Sequence, residues 1–195
     1  MSEPSVTTMF AEHRAVAEHL AARGEVSFAN IVEDNFRKSL LLAAASYFEH
    51  KLTFSVMEFA LEQTNNVDLI PSVVHSKAIN RQYHTWFAWD TSNANQFFKM
   101  FGDNFLAFMK LQVKEDEKLE RSIAAFLSIG LARNRLAHND FASFTLEKTS
   151  QEVFEEFELG RYFVDKVPEL LRKCASLQRQ SFLDAESARL ERRPA

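Results

Sequence analysis

The sequence predicts an all-α protein, a bundle of four to five helices with an aromatic-rich connector, and three observations carry that prediction. Apolar residues recur every three or four positions over long stretches, which is the period of a helix face. Only 4 Gly and 4 Pro occur among 195 residues, so the tight turns demanded by sheets or repeated βαβ units have little material. No segment offers a good strand candidate. The length suits one domain with its own core and falls short of two. Hydrophobic residues at 46% and charged residues at 26% are ordinary globular proportions. A single domain over residues 1–195 is expected, with about five residues at the N-terminus and about six at the C-terminus flexible.

Residues 7–23 place Met9, Phe10, Ala15, Val16, Ala17 and Leu20 at helical spacing, and Gly24 supplies a stop. From 31 to 63, Phe36, Leu40, Ala44, Tyr47, Phe48, Leu52, Val56 and Phe59 recur with no Gly or Pro between them. That is one long amphipathic helix. Residues 64–90 lose the period and are punctuated by Asn65, Asn66, Pro71 and Ser72, so they read as a connector with short helical turns. Its tail, Tyr83-His84-Thr85-Trp86-Phe87-Ala88-Trp89, lies beside Arg81. Such rings could stack on unpaired bases, but the simpler reading is that they cap one end of the bundle.

A short helix over 95–101 follows, and Gly102-Asp103-Asn104 offers a break and a cap for a helix reaching 114. Residues 117–138 form another helix. The last, from 150 to about 189, carries Val153, Phe154, Phe157, Phe163, Val164, Val167, Leu170 and Leu171, with Gly160 and Pro168 expected to bend or break it. Within it Glu152, Glu155, Glu156 and Glu158 read as a solvated face, and Cys174 as a small core residue.

A net charge of −4 with pI near 5.9 argues against holding nucleic acid by bulk electrostatics. Any RNA contact must then be local. One cysteine excludes an internal disulfide framework and a thiolate-rich metal site. Met1-Ser2-Glu3-Pro4-Ser5 lacks the basic and apolar regions of a signal peptide, and no run approaches ~18 apolar residues. A cytoplasmic protein that makes no membrane contact is expected. His13, His19, His50, His75 and His84 show no metal-binding spacing, and there is no Gly-rich phosphate loop. Neither a metal nor a cofactor is expected.

The chemistry concentrates on the helix over 117–138. Ile123, Leu127, Gly130, Asn134 and His138 share one stripe at about 100° per residue, so a core face continues into polar side chains. Buried polar groups are costly unless paired or facing a cleft. Arg133 and His138 lie about 140° apart on an ideal helix. Three things could bring them together: the reach of Arg133, a loosened helix end near His138-Asn139-Asp140, or a second subunit across a twofold axis. The plainer alternative is that Arg133 and Arg135 are cations complementing the helix dipole, with His138 and Asn139 completing the cap.

Arg133-Asn134-Arg135-Leu136-Ala137-His138 resembles the R-x4-H signature of HEPN-domain ribonucleases (higher eukaryotes and prokaryotes nucleotide-binding). Ala45-Ser46-Tyr47-Phe48-Glu49 resembles the early-helix aromatic–Glu pattern of stand-alone HEPN proteins of the RiboL-PSP or MAE_28990 type. The resemblance implies a HEPN-like bundle and metal-independent RNA cleavage, giving 2′,3′-cyclic phosphate and 5′-hydroxyl ends. It also implies a homodimer with a composite active site. Arg133, Asn134 and His138 would be catalytic. Arg133 would grip the phosphate, His138 would accept or donate a proton, and Asn134 would orient the imidazole or bind phosphate. Arg135 and Glu49 would support them or contact RNA. Lys51, Glu33, Asp34, Arg37 and Lys38 read as surface charge.

A toxin or defence effector, with an antitoxin or defence-system partner, fits this reading. The sequence departs from HEPN toxins silenced by a nucleotidyltransferase: those carry Tyr two residues after the His, where this chain has Asp140. Two alternatives stay open. One is a non-catalytic HEPN-like module binding RNA, nucleotide or protein, and the other is a helical scaffold.

Overall fold

Because each apolar stripe needs a partner surface, the helices can satisfy one another only by meeting in a common core. The computed structural model describes residues 5–191. Among them the elements are α1 (Ser5–Ala22), α2 (Val26–Gln63), α3 (Leu69–Val74), α4 (Asn95–Met100), α5 (Asp103–Glu115), α6 (Glu117–Ala137) and α7 (Ser150–Glu191). A π-helical turn, His75–Ile79, continues α3, and a 3₁₀ turn spans Tyr83–Thr85. No strand occurs among the described residues. The protein is all-α, as the sequence predicts: five longer helices, two short ones and an aromatic connector. The terminal residues expected to be flexible lie for the most part outside the described residues.

The centre of the bundle is aromatic. Phe48 of α2 lies 5.3 Å from Phe126 of α6 and 5.5 Å from Phe157 of α7, ring centre to ring centre. Phe126 reaches Phe163 of α7 at 5.2 Å. These rings bury large areas and hold α2, α6 and α7 together. Gly160 sets how near the helices come, because a Cβ there would stand 2.9 Å from Phe48 Cζ and 3.2 Å from the Phe126 backbone. The absent side chain permits that close approach. α7 continues as one helix past both Gly160 and Pro168, so it is not broken at either.

Other differences are local. α2 starts at Val26, earlier than 31, because Gly24 at φ 72 ends α1 and leaves the chain ready to re-enter a helix one residue later. The cap expected from Asp103 or Asn104 is absent: Gly102, at φ 97, precedes α5 with no side-chain capping bond. The charges at the start of α2 are not simply surface. Lys38 is 2% exposed, its Nζ donating to Asp34 Oδ2 at 2.9 Å and to the Phe141 carbonyl at 3.3 Å. Cys174 is buried, as expected. No helix among the described residues is long and apolar enough to cross a membrane.

Glu33 clasps three helices. Its Oε2 meets His13 Nε2 of α1 at 2.8 Å, and the Ser150 hydroxyl and amide at the head of α7 donate to its two oxygens at 2.9 Å. Burial pushes this carboxyl up, but the Ser150 amide, His13 and the Ser150 hydroxyl more than offset it and hold it below the ordinary 4.5. The stabilisation from ionised Glu33 is therefore complete above that ordinary value and is lost as pH falls through the lower folded value. Glu33→Ala should cost about 1–3 kcal/mol by stranding His13 and Ser150. It should also flatten the acid side of a stability curve from urea melts between about pH 3 and pH 7. A variant with wild-type stability and an unchanged acid limb would contradict this role.

Candidate functional site

The start of α6 is pinned by Asp116, whose Oδ1 accepts the Leu119 amide at 3.0 Å while Oδ2 accepts the Tyr162 hydroxyl of α7 at 2.8 Å. Ile123, Phe126, Leu127 and Ile129 then bury one side of the helix, and Leu136, 2% exposed, does so within the six-residue motif itself. That fixes the rotation of the last turn. The stripe read from the sequence leaves the core as it goes: Ile123, Leu127 and Gly130 are buried, Asn134 is half-buried, and His138 is exposed. The end of α6 closes with the His138 amide on the Asn134 carbonyl at 3.1 Å and Asn139 Nδ2 on the Arg135 carbonyl at 2.7 Å.

Arg133, Asn134 and His138 open into a cleft of about 420 Å³, where Glu49 of α2 and Arg81, Tyr83 and His84 of the connector face them. Arg133 Nη1 donates to Asn134 Oδ1 at 3.2 Å, and its Nη2 stands 3.9 Å from Glu49 Oε2. Asn134 thus engages Arg133, and the His138 imidazole makes no hydrogen bond among the described residues. The cleft floor narrows to a recess of about 20 Å³ walled by Ala45, Phe48, Trp89 and Phe126. That is room for about one water and not for a larger group.

Burial pushes the Tyr83 phenol far above its ordinary value, with the Glu49 charge adding to the effect and Arg133 opposing it. It remains a neutral hydroxyl. Two guanidinium groups against one carboxylate leave the cleft positive in a chain of net charge −4.

The connector is held against α6 by Trp89. Its indole occupies the space where a side chain on Gly130 would be, since a Cβ there would come 2.0 Å from Trp89 Cζ3. Trp89 Nε1 donates to the His84 carbonyl at 2.9 Å, and Trp86 Nε1 to the Ala78 carbonyl at 2.7 Å. Arg81 sits at φ 58, a left-handed conformation that costs a non-glycine residue roughly 1–3 kcal/mol. The surrounding bonds hold it there.

Sequence reasoning singled out Arg133, Asn134, His138 and Glu49 as candidates, and the structure brings these four to one cleft within one protomer. Arg135 points elsewhere, into a groove with Ser128, Leu131, Phe144 and Lys148. Arg81, Tyr83 and His84 were not expected in the site. Their signal was the aromatic run beside Arg81. Trp86 and Phe87, each 3% exposed, do cap the core, but Tyr83 and His84 of the same run line the cleft.

A family model described as RiboL-PSP-HEPN matches residues 10–173, a span that includes α2, the connector and α6. No curated protein and no solved structure matches the chain.

Gly130→Ala should expel the Trp89 ring, because no small shift relieves a 2.0 Å contact. The expected outcome is a red-shifted tryptophan emission and loss of whatever binding the cleft supports, with helix content retained by circular dichroism. Unchanged emission would mean that the indole does not rest on α6.

Proposed function

The chain belongs to the RiboL-PSP-HEPN family, and on that premise we propose that it is a metal-independent endoribonuclease. The observation that supports this most directly is the convergence of Arg133, Asn134, His138 and Glu49 on one open, positive cleft. In the proposed reaction the 2′-oxygen forms a bond to phosphorus and the phosphorus–O5′ bond breaks. One proton leaves the 2′-hydroxyl and another reaches the 5′-oxygen. The products are a 2′,3′-cyclic phosphate and a 5′-hydroxyl.

Arg133 is suited to the phosphate. Its Nη1 donates to Asn134 and a carboxylate stands 3.9 Å from its Nη2, which leaves its remaining N–H groups to reach a non-bridging oxygen and oppose the charge that builds there. Asn134 spends its Oδ1 on Arg133, leaving its NH₂ to donate to the same phosphate. His138 is exposed at the cleft mouth and free to exchange a proton with substrate, and imidazole is the side chain best matched to proton transfer near neutral pH. Arg135 would act only on RNA that leaves the cleft.

HEPN proteins often bind RNA and dimerise, and we extend both to this chain: RNA as substrate and a homodimer with facing clefts. A role as a toxin or defence effector, restrained by a partner, follows the same line. Purified protein in excess chelator should cut tRNA, mRNA or rRNA to cyclic-phosphate ends. Arg133→Ala and His138→Ala should each slow this by about 10²-fold or more with melting temperature preserved. RNA bound tightly by the wild type but never cut would instead favour a non-catalytic binding module.

A further inference from the structure

The end of α6 separates two openings. On one side is the cleft of Arg133, Asn134 and His138. On the other, between α6 and the chain leading into α7, runs a groove of about 320 Å³ whose lining includes Leu131, Arg135, Phe144 and Lys148. Arg135 and His138 are three residues apart, and the His138 amide still bonds the Asn134 carbonyl at 3.1 Å, as in a continuing helix. Side chains at that spacing are neighbours, with about 5–6 Å between their Cβ atoms. His138 therefore stands where cleft and groove adjoin, and a strand that passes it from the cleft arrives at Arg135.

We infer that this groove is the subsite for the nucleotide next to the scissile phosphate, with the base against Phe144 and Leu131 and a phosphate held by Arg135. The inference rests on the ribonuclease reading. It does not depend on whether one protomer or two supply the reacting groups, because Arg135 and His138 belong to the same helix and its cap.

The Arg135 side chain is exposed and makes no hydrogen bond or ion pair among the described residues, so its planar fork is uncommitted. The groove's other cation is spent: Lys148 Nζ donates to both Glu156 oxygens at 2.6 Å and to the Ser128 hydroxyl at 2.7 Å. That network fixes one wall, and Leu146, 5% exposed, anchors the same stretch in the core. Around this anchor the backbone N–H and C=O groups of Thr145, Leu146 and Glu147 enter no hydrogen bond among the described residues. Phe144 is half-buried, packed on the core without being covered by it. Single-stranded RNA is recognised by such a combination: an aromatic or guanidinium plane for the ring, and hydrogen-bonding groups for its edge. The Glu147 carboxylate can only accept, which suits an exocyclic amine of a base and not a phosphate. Continuity with the cleft and the uncommitted cation favour a nucleotide over a segment of protein.

The test measures binding of 2′-O-methyl RNA oligonucleotides of increasing length, from a dinucleotide upward, to the full chain. These lack the attacking hydroxyl, so binding is read apart from cleavage. Wild-type affinity should rise as the strand becomes long enough to enter the groove. Arg135→Ala should erase that rise and reduce the slope of log Kd against log salt by about 0.7, the contribution of one phosphate contact to a single strand. Arg135→Lys keeps the charge and should keep the slope. Phe144→Leu retains an apolar side chain and removes the ring. It should weaken the longer oligonucleotides by about fivefold or more, with melting temperature retained. Arg133→Ala, in the cleft itself, should weaken every length.

Arg135→Ala that lowers affinity for all lengths alike, or for none, overturns the inference, as does a wild type that binds no oligonucleotide even at low salt. An Arg135→Ala protein altered in its monomer–dimer equilibrium but not in RNA binding also overturns it, since a second copy would then cover the groove. If wild type cuts ordinary RNA and Arg135→Ala cuts it with unchanged kcat/KM, the subsite is wrong and the ribonuclease reading stands. If the length dependence is found but no RNA is cut, the groove holds RNA and the ribonuclease reading has failed.

Discussion

The site depends on an indole resting directly on a helix. Trp89 can lie against α6 only because position 130 has no side chain, and that contact places the connector opposite the last turn of α6. Without it the motif residues would face only Glu49 of α2 and solvent. Arg81, Tyr83 and His84 would belong to a loop with no fixed relation to Arg133 and His138. The same indole bonds the carbonyl of His84, so one side chain both sets the distance between the two walls and orients one of them. A second tether acts beyond the motif: buried Lys38 holds the Phe141 carbonyl, restraining the chain as it leaves His138.

Most of the fold was legible because it rests on periodicity, which a bundle expresses residue by residue. α6 and α7 were read nearly to their ends, since each buries a continuous stripe. The errors came where long-range packing decided the outcome. Gly160 and Pro168 have the local character of helix breakers, but Gly160 is the small residue that lets α7 approach Phe48 and Phe126, and the packing carries the helix past Pro168. Lys38 and Glu33 have the local character of surface charge. The burial of Lys38 and the bonding of half-buried Glu33 depend on partners at Phe141 and Ser150, more than a hundred residues away, and nothing in the neighbouring sequence announces them.

The same division holds for the site. Arg133, Asn134 and His138 are close in sequence and fall on one turn and its end, so spacing alone could single them out. Arg81, Tyr83 and His84 reach them only through tertiary contact. The positive φ of Arg81 shows that tertiary contacts fix this segment, because the strain there is tolerated where a glycine or asparagine would relax it. The chain uses asparagine for that conformation elsewhere, at Asn65 and Asn66.

The location of the cleft also explains its composition. Anion sites in helical proteins commonly use a helix N-terminus, where backbone amides and the dipole both attract negative charge. This cleft lies at the C-terminus of α6, where carbonyls and the negative end of the dipole oppose a phosphate. The protein reduces that opposition by engaging the last carbonyls, the Asn134 carbonyl with the His138 amide and the Arg135 carbonyl with Asn139. On the ribonuclease reading, attraction for a phosphate would then have to come from side chains. Two guanidinium groups, one from α6 and one from the connector, stand against the single carboxylate of Glu49, which is how an acidic chain comes to carry a local positive cleft.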